Sequence, residues 1–118
     1  MEKAKLVIHP TGTCFDDMAD LFARFVNKND CDELFLCHGV IVLDDGRRAA
    51  HAWIEKGQLV YQCGMVNGHR AFYSGKPEEI RMKVIEKTCY SLEWISENLS
   101  REDRSGPWEE RYARLCVD

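Results

Sequence analysis

Two residues of the chain, Cys14 and His51, are of the types that cooperate in nucleophilic thiol chemistry. Cys14 follows Thr13 at the start of a segment with helical apolar periodicity, so we place it in the first helical turn with Thr13 as the N-cap. Unpaired backbone N–H groups and the helix dipole at that position favour a thiolate and can hold an oxyanion. The alternative, from position alone, is a small residue tolerated at a helix start.

His51 lies in the segment 49–55, which has the two-residue alternation of a β-strand. This alternation places His51, Trp53 and Glu55 on one face of the strand and small or apolar residues on the other. The small alanines beside His51 leave room for the helix that carries Cys14 to dock closely. The imidazole would then act as general base and acid for the thiol. The alternative is a half-buried strand histidine with no chemical role.

A third polar group normally orients the imidazole of such a pair. A turn centred on Lys56 and Gly57 brings the following strand past His51 near Tyr61 or Gln62. The side-chain oxygen of Gln62 can accept a hydrogen bond from the imidazole, which fixes the orientation of the ring. An amide does not stabilise the imidazolium as a carboxylate does. The candidate catalytic residues are therefore Cys14, His51 and Gln62.

The order of these three residues resembles that of the papain-like and transglutaminase-like superfamily of cysteine hydrolases. It is especially similar to the leader-peptidase partner proteins of lasso-peptide biosynthesis, in which an HAW-V-E strand precedes a strand that carries an aspartate. The resemblance covers residues 11–63 and implies that Cys14 is the nucleophile, His51 the general base and acid, and Gln62 the counterpart of the aspartate. It implies a hydrolase or acyl-transferase that acts on an amide, isopeptide or thioester bond of a peptide or protein substrate. We expect no cofactor.

Glutamine in place of aspartate favours an alternative function. The chain would then be a non-catalytic protein-binding or regulatory domain that keeps a cysteine-protease-like scaffold. Fold similarity by itself does not decide between the two functions.

A second resemblance covers most of the chain and implies no established activity. Small bacterial and phage proteins of unknown function share a series of short motifs, which are here Cys14, His38-Gly39, His51-Ala52-Trp53, Tyr73 and Gly106-Pro107-Trp108.

The predicted substrate-binding residues are Thr13, His38, Trp53 and Tyr73. Thr13 ends a loop that either shapes a pocket or only leads into the helix. His38 precedes Gly39, and a strand glycine can mark the close approach of a ligand or of other backbone. The alternative for His38 is a core histidine with satisfied hydrogen bonds, and for Trp53 a packing residue.

The elements that must position these residues alternate between helical and strand periodicity and predict an α+β fold. We expect an N-terminal helix packed on an antiparallel β-meander, followed by small C-terminal helices, in a single domain over residues 1–118; the first resemblance implies a papain-like or transglutaminase-like core. The predicted elements are a strand at 6–8, a helix from Thr13 to about Asn27, an inner strand Leu34–Leu43, a hairpin turn at 44–47, strands at 48–55 and 59–63, a loop at 64–70, a short helical segment near Pro77, a strand Val84–Tyr90 with Val84, Glu86 and Thr88 on one face, a helix from Ser91 to about Asn98, a charged loop at 101–105 and a short segment at 106–115.

The composition sets the class of protein and its partners. Of the 118 residues, 45% are hydrophobic and 31% charged, as is ordinary for a globular domain, and the net charge of -4 argues against nucleic-acid binding. The longest apolar stretch, Leu34–Leu43, is about half the length of roughly 20 residues that a membrane span needs. We expect a cytoplasmic protein without membrane contact, and we predict no particular oligomeric state.

The six cysteines, which include Cys14, are expected to be free thiols, because no export signal is recognised. We interpret Cys37, Cys63 and Cys89 as small buried apolar residues. A zinc site made of Cys37, His38, His51 and Cys63 is disfavoured, since adjacent strand residues point to opposite faces. No metal is therefore predicted.

Overall fold

The structure is a computed structural model that describes residues 6–7, 14–43, 45–66, 69–80, 82–98 and 106–114. The described residues form six strands and four helices. In chain order these are β1 (Leu6–Val7), α1 (Cys14–Asn27), β2 (Leu34–Val42), β3 (Arg48–Lys56), β4 (Leu59–Val66), β5 (His69–Gly75), α2 (Pro77–Ile80), β6 (Lys83–Ser91), α3 (Leu92–Asn98) and α4 (Glu110–Ala113).

All strand pairs of the single sheet are antiparallel. The spatial order is β1-β4-β3-β2-β6, with β5 paired to β4. Strands β2 to β5 form a meander of successive hairpins, and β6 returns to the other edge of β2. The predicted α+β fold, with a helix ahead of an antiparallel meander and small helices after it, is confirmed.

The pairing between β3 and β4 is incomplete. Their ladder runs only from Ile54 to Lys56 on β3, opposite Leu59 to Tyr61 on β4. Because β5 occupies the other edge of β4, β1 pairs with Met65 and Val66 on the edge that faces β3. The sheet is therefore split beside the first half of β3, and β1 enters on the β4 side of the split.

One face of the sheet, which we call the helix face, packs against α1. The helix is amphipathic, and it buries Cys14, Phe15, Met18 and Phe22 while its acidic residues lie elsewhere. It contacts β2, β3 and β4, so it lies across the split. The sheet residues of the same buried cluster include Leu34, Leu36, Val40, Ala50, Ala52, Ile54 and Cys63. The small alanines of β3 therefore pack against α1, as the sequence analysis predicted.

The opposite face, which we call the open face, carries a smaller buried cluster. Its members are Cys37, Ile41, Trp53, Val60 and Ile80, the last from α2. Membership follows strand alternation, since Cys37 and Trp53 are cross-strand partners and neighbours such as Leu36 and Ile54 point to the helix face. No helix within the described ranges has the length and apolar composition needed to cross a bilayer.

The loop predicted at 64–70 is wrong. Strand β4 continues to Val66 and β5 starts at His69, with those two residues paired. Asn67 and Gly68, between these two strands in the sequence, lie outside the described residues. The sequence prediction recognised the turn signal but extended the loop over residues that pair as strand.

The predicted common face of Val84, Glu86 and Thr88 is also wrong. Val84 pairs with Ile41 and Glu86 with Val40, and the register shifts between these two pairs. The extra residue, Ile85, is a β-bulge, which breaks the alternation that the prediction assumed. Parts of other predictions, namely Ile8, Thr13 with the loop before it, the loop at 101–105 and Leu115, lie outside the described residues.

Gly39 shows why β2 carries a glycine at its centre. A Cβ atom there would lie 2.8 Å from the ring of Trp53 and would also collide with the backbone oxygen of Glu86. We expect Gly39→Ala to lower the free energy of unfolding by about 1–3 kcal/mol, the usual cost of overpacking. Gly75→Ala is the matched control, because its Cβ would meet the flexible side chain of Ile80 at 3.3 Å and Cβ of Glu79 at an ordinary contact distance of 3.5 Å. Urea unfolding monitored by tryptophan fluorescence measures the free energy of unfolding of both variants. Equal losses in the two variants would contradict the steric role of Gly39.

Candidate thiol–imidazole site

His51 lies in the middle of β3, directly opposite Gly39 of β2. Its side chain belongs to the open face, where its ring stacks on Trp53 with the ring centroids 6.1 Å apart. The imidazole is fully buried, and its Nε2 lies 2.9 Å from Oε1 of Gln62, which is also fully buried. The hydrogen bond expected between these two residues is present, and it crosses the split between β3 and β4.

This hydrogen bond fixes the tautomer of the imidazole. The Oε1 atom of Gln62 can only accept, so Nε2 of His51 carries the hydrogen and donates. The second ring nitrogen, Nδ1, is then left with a lone pair. It has no hydrogen-bond partner among the residues that the structure describes. His51 therefore presents a basic nitrogen whose direction is set by its bond to Gln62.

Burial also controls the charge of this imidazole. Desolvation lowers the pKa of His51 to about 4, and the hydrogen bond to Gln62 only partly opposes that shift. The ring is therefore neutral at pH 7. The neutral form is the one that a general base needs.

Cys14 is the first residue of α1 and is only 1% exposed. It belongs to the buried cluster of the helix face together with Ala50, Ala52 and Cys63. Nδ1 of His51 has no hydrogen-bond partner among the described residues, so it does not accept from the Cys14 thiol in this conformation. The structure thus brings together two of the three predicted catalytic residues and leaves the bond to the third unformed.

The thiol and the imidazole lie on opposite faces of β3, which borders the split in the sheet. Strand alternation directs Ala50 and Ala52 toward α1 and His51 away from it, so a continuous sheet would separate them. Beside His51, however, β3 has no ladder partner on the β4 side within the described residues. The chain runs from β1, which enters at this split, to Cys14 through residues 8–13 only.

The predicted substrate-binding residues are distributed over both faces. Thr13 lies outside the described residues. Trp53 is buried on the open face and donates from Nε1 to Oε2 of Glu55 at 3.0 Å, so it is mainly a packing residue. Tyr73 of β5 is the cross-strand partner of Gln62, and its hydroxyl is buried without a hydrogen-bond partner among the described residues. Trp53 and Tyr73 therefore flank the His51–Gln62 pair.

His38 does not line this site. It is fully buried on the helix face, and the rings of Phe15, Tyr90 and Trp108 surround it at centroid distances of 4.8, 5.1 and 4.9 Å. Neither ring nitrogen has a hydrogen-bond partner among the described residues, so the alternative of a satisfied core histidine is wrong as well. Desolvation lowers the pKa of His38 to about 3.

A second cysteine cluster was missed by the sequence prediction. Sγ of Cys37, Oε2 of Glu55 and Sγ of Cys89 lie within 4.8 Å of one another on the open face. Cys89 is exposed, so its interpretation as a buried apolar residue is wrong. The signal that would have found the cluster is the pairing of β6 with β2, which joins residues 52 positions apart.

The disfavoured zinc set is divided between the two faces. Cys37 and His51 lie on the open face, whereas His38 and Cys63 lie on the helix face. The described cysteines, Cys14, Cys31, Cys37, Cys63 and Cys89, are not joined in disulfides.

Comparisons with protein-family models, with curated proteins and with solved structures found no match to this chain. The resemblance to papain-like and transglutaminase-like proteins therefore remains a hypothesis that rests on the residues of the site.

The two buried histidines predict how stability depends on pH. Their pKa values are about 4 and about 3 in the folded protein, against about 6.5 in an unfolded chain. The unfolded state therefore binds more protons as the pH falls below 6.5, and each histidine removes about 1.4 kcal/mol of unfolding free energy per pH unit. This loss starts near pH 6.5 and ends near the folded pKa values.

We expect His51→Gln and His38→Phe each to reduce the slope of unfolding free energy against pH by about 1 kcal/mol per pH unit between pH 6 and 5. Urea titrations at pH 7, 6 and 5 measure the slopes, which do not depend on the absolute stability of a variant. Slopes equal to that of the unaltered protein would show that these imidazoles are protonated or solvated in the folded state.

Proposed function

We propose that the protein is a thiol-dependent hydrolase or acyl-transferase in which Cys14 is the nucleophile. The observation that supports the proposal is the hydrogen bond between Gln62 and His51, which leaves Nδ1 as the free base. A neutral, oriented and buried imidazole that lacks a partner at its basic nitrogen has a free energy cost unless another group uses that nitrogen. The thiol proposed to use that nitrogen is at the start of α1, which packs on the other face of β3.

The reaction follows from the roles of these groups. Nδ1 of His51 takes the proton of the Cys14 thiol, and the thiolate attacks the carbonyl carbon of the substrate. The tetrahedral oxyanion is held by backbone N–H groups of the first turn of α1, which have no partner within the helix. The imidazolium then protonates the leaving amine or thiol, and an acyl-thioester on Cys14 remains. Water or an acceptor amine, deprotonated by His51, releases the acyl group.

Gln62 sets the expected strength of this catalyst. As a neutral amide it orients the ring, but it does not stabilise the imidazolium that forms during the reaction. The folded environment already disfavours the charged ring, since burial lowers the pKa of His51. The proposed enzyme is therefore slow compared with one that has a carboxylate at this position.

A second candidate function, a non-catalytic protein-binding or regulatory domain, is favoured by the burial of the site. Cys14 is 1% exposed, and His51 and Gln62 are fully buried, so a substrate must displace a covering segment before it reaches them. In that case the His51–Gln62 pair only connects β3 to β4 across the split. The two candidates differ in whether Cys14 becomes acylated.

A chromogenic acyl ester, p-nitrophenyl acetate, tests the proposal without knowledge of the natural substrate. We expect a burst of one equivalent of nitrophenol and an acetyl group on Cys14, identified by peptide mass spectrometry. Cys14→Ala should abolish the burst, and His51→Ala should slow it by about 10²-fold or more, the usual contribution of a general base. Gln62→Ala should slow it less, whereas the isosteric Gln62→Glu, whose carboxylate also stabilises the imidazolium, should speed it.

Cys31→Ser is the matched control, because Cys31 is partly exposed and lies outside the site. Its burst should equal that of the unaltered protein. If the acetyl group is found on other cysteines, and Cys14→Ala keeps the burst, then the hydrolase proposal fails and the binding-domain function remains.

A further inference from the structure

A pair of cysteines on facing strands lies apart from the proposed hydrolase site. Cys37 of β2 and Cys89 of β6 are directly opposite each other in the antiparallel ladder. Their Sγ atoms are 2.8 Å apart, although both residues are thiols. The sulfur of Cys37 also lies 3.4 Å from Oε2 of Glu55. Two thiols and a carboxylate are thus gathered at one place on the open face.

The distances favour bond formation between the sulfurs over the shared ligation of a metal. Two sulfurs bound to one tetrahedral zinc at 2.3 Å lie about 3.8 Å apart, so the observed 2.8 Å is too short for that arrangement without a shift. Directly opposed residues in an antiparallel pair have Cα atoms about 4.5–5.5 Å apart, which lies within the range that a disulfide spans. The backbone therefore permits a Cys37–Cys89 disulfide without rearrangement.

The two thiols are unequal in access and in acidity. Cys89 is exposed on β6, the edge strand of the sheet, whereas Cys37 is fully buried. The hydrogen bond from Cys37 lowers the pKa of Cys89 against the opposing effects of burial and of the Glu55 charge, and the charge of Lys87 adds to that lowering. The same hydrogen bond, together with burial, raises the pKa of Cys37. An exposed thiol with a lowered pKa beside a buried thiol is the arrangement of an attacking and a resolving cysteine.

Glu55 and Lys87 complete the cluster. Nζ of Lys87 donates to Oε2 of Glu55 at 2.7 Å, and the same oxygen accepts from Nε1 of Trp53 and is the second acceptor within reach of the Cys37 thiol. Burial raises the pKa of Glu55, but the hydrogen bonds to its carboxylate outweigh burial and lower the pKa below its usual value. The carboxylate is therefore ionised, and its Oε2 lies 3.4 Å from the sulfur of Cys37, where it can take the proton of that thiol.

From this geometry we propose that Cys37 and Cys89 form a thiol–disulfide exchange site that takes low-molecular-weight disulfides. The Cys89 thiolate attacks one sulfur of the disulfide, whose S–S bond breaks and releases one thiolate. Cys37 then gives its proton through Glu55 and attacks Sγ of Cys89, which expels the second thiolate. Two protein thiols are oxidised to one disulfide, the small disulfide is reduced to two thiol equivalents, and the proton from Cys37 ends on a released thiolate.

A groove beside the cysteines gives the leaving thiol space. It has a volume of about 510 Å³ and shares Glu55 and Lys87 with the cluster. The apolar part of its wall includes Trp53, Met82 and Val84. A small ligand seated there lies next to Lys87, whose charge favours a departing thiolate.

Glutathione redox buffers applied to the full reduced chain test the proposal. As the proportion of glutathione disulfide increases, we expect a Cys37–Cys89 disulfide, detected as the loss of two hydrogen atoms and mapped by peptide mass spectrometry after alkylation. Cys37→Ser should instead accumulate a stable glutathione adduct on Cys89. Cys89→Ser should form neither product, with at least a tenfold loss in the rate of oxidation of Cys37.

Two matched variants separate this chemistry from general thiol reactivity. Cys31→Ser should form the Cys37–Cys89 disulfide as the unaltered chain does. Lys87→Gln should slow alkylation of Cys89 by iodoacetamide at pH 7 severalfold, whereas Lys83→Gln on the same strand should not. Adducts spread equally over Cys31 and Cys89, or a stoichiometric zinc ion in the purified protein that protects both thiols from alkylation, would overturn the proposal. Neither readout involves Cys14, so the result stands apart from that of the acyl-ester test.

Discussion

The register of β2 between β3 and β6 is the constraint on which both cysteine sites depend. Because side chains alternate along a strand, a slip of one residue would move every side chain of β2 to the other face. In the observed register Cys37 faces Trp53 on one side and Cys89 on the other, and Gly39 lies between His51 and Lys87. Both faces of β2 are buried over most of its length, so the hydrophobic effect fixes this register from two sides. Gly39 adds a steric condition, since the ring of Trp53 occupies the space that a side chain would need.

Burial of polar groups separates structural from chemical roles among the histidines. His38 is enclosed by aromatic rings, and neither of its ring nitrogens has a hydrogen-bond partner in the part of the chain that the structure describes. His51 has the same degree of burial but one satisfied nitrogen, because Gln62 reaches it across the split between β3 and β4. An unsatisfied buried polar atom costs about 1–3 kcal/mol. At His51 this free-energy cost is explained if Nδ1 accepts the proton of a thiol. At His38 nothing in the described structure explains the cost.

Local patterns in the sequence predicted what depends on local contacts. The spacing of Phe15, Met18 and Phe22 predicted α1, and alternation placed His51 and Trp53 on one face. The turn at Gly57 predicted the approach of Gln62 to His51, because a hairpin joins them over only eleven positions. The pairing of Cys37 with Cys89 depends instead on the return of β6 to β2, which no local pattern encodes. The bulge at Ile85 and the split between β3 and β4 were missed for the same reason, since both are adjustments between strands.

The open face joins the two proposed sites through Trp53. Its ring stacks on the imidazole of His51, and its indole N–H donates to the carboxylate that contacts Cys37. The sites nevertheless activate their thiols by different means. Cys14 depends on a neutral base and on the N-terminus of a helix, so it requires a buried imidazole that stays uncharged. Cys89 depends on a hydrogen bond from a second thiol and on the nearby cation of Lys87, so it requires an edge strand that solvent can reach. The sheet provides both environments, because α1 covers one face and the edge strand β6 is exposed to solvent. The Cys14 thiol and the Cys37–Cys89 pair therefore lie on opposite faces of the sheet.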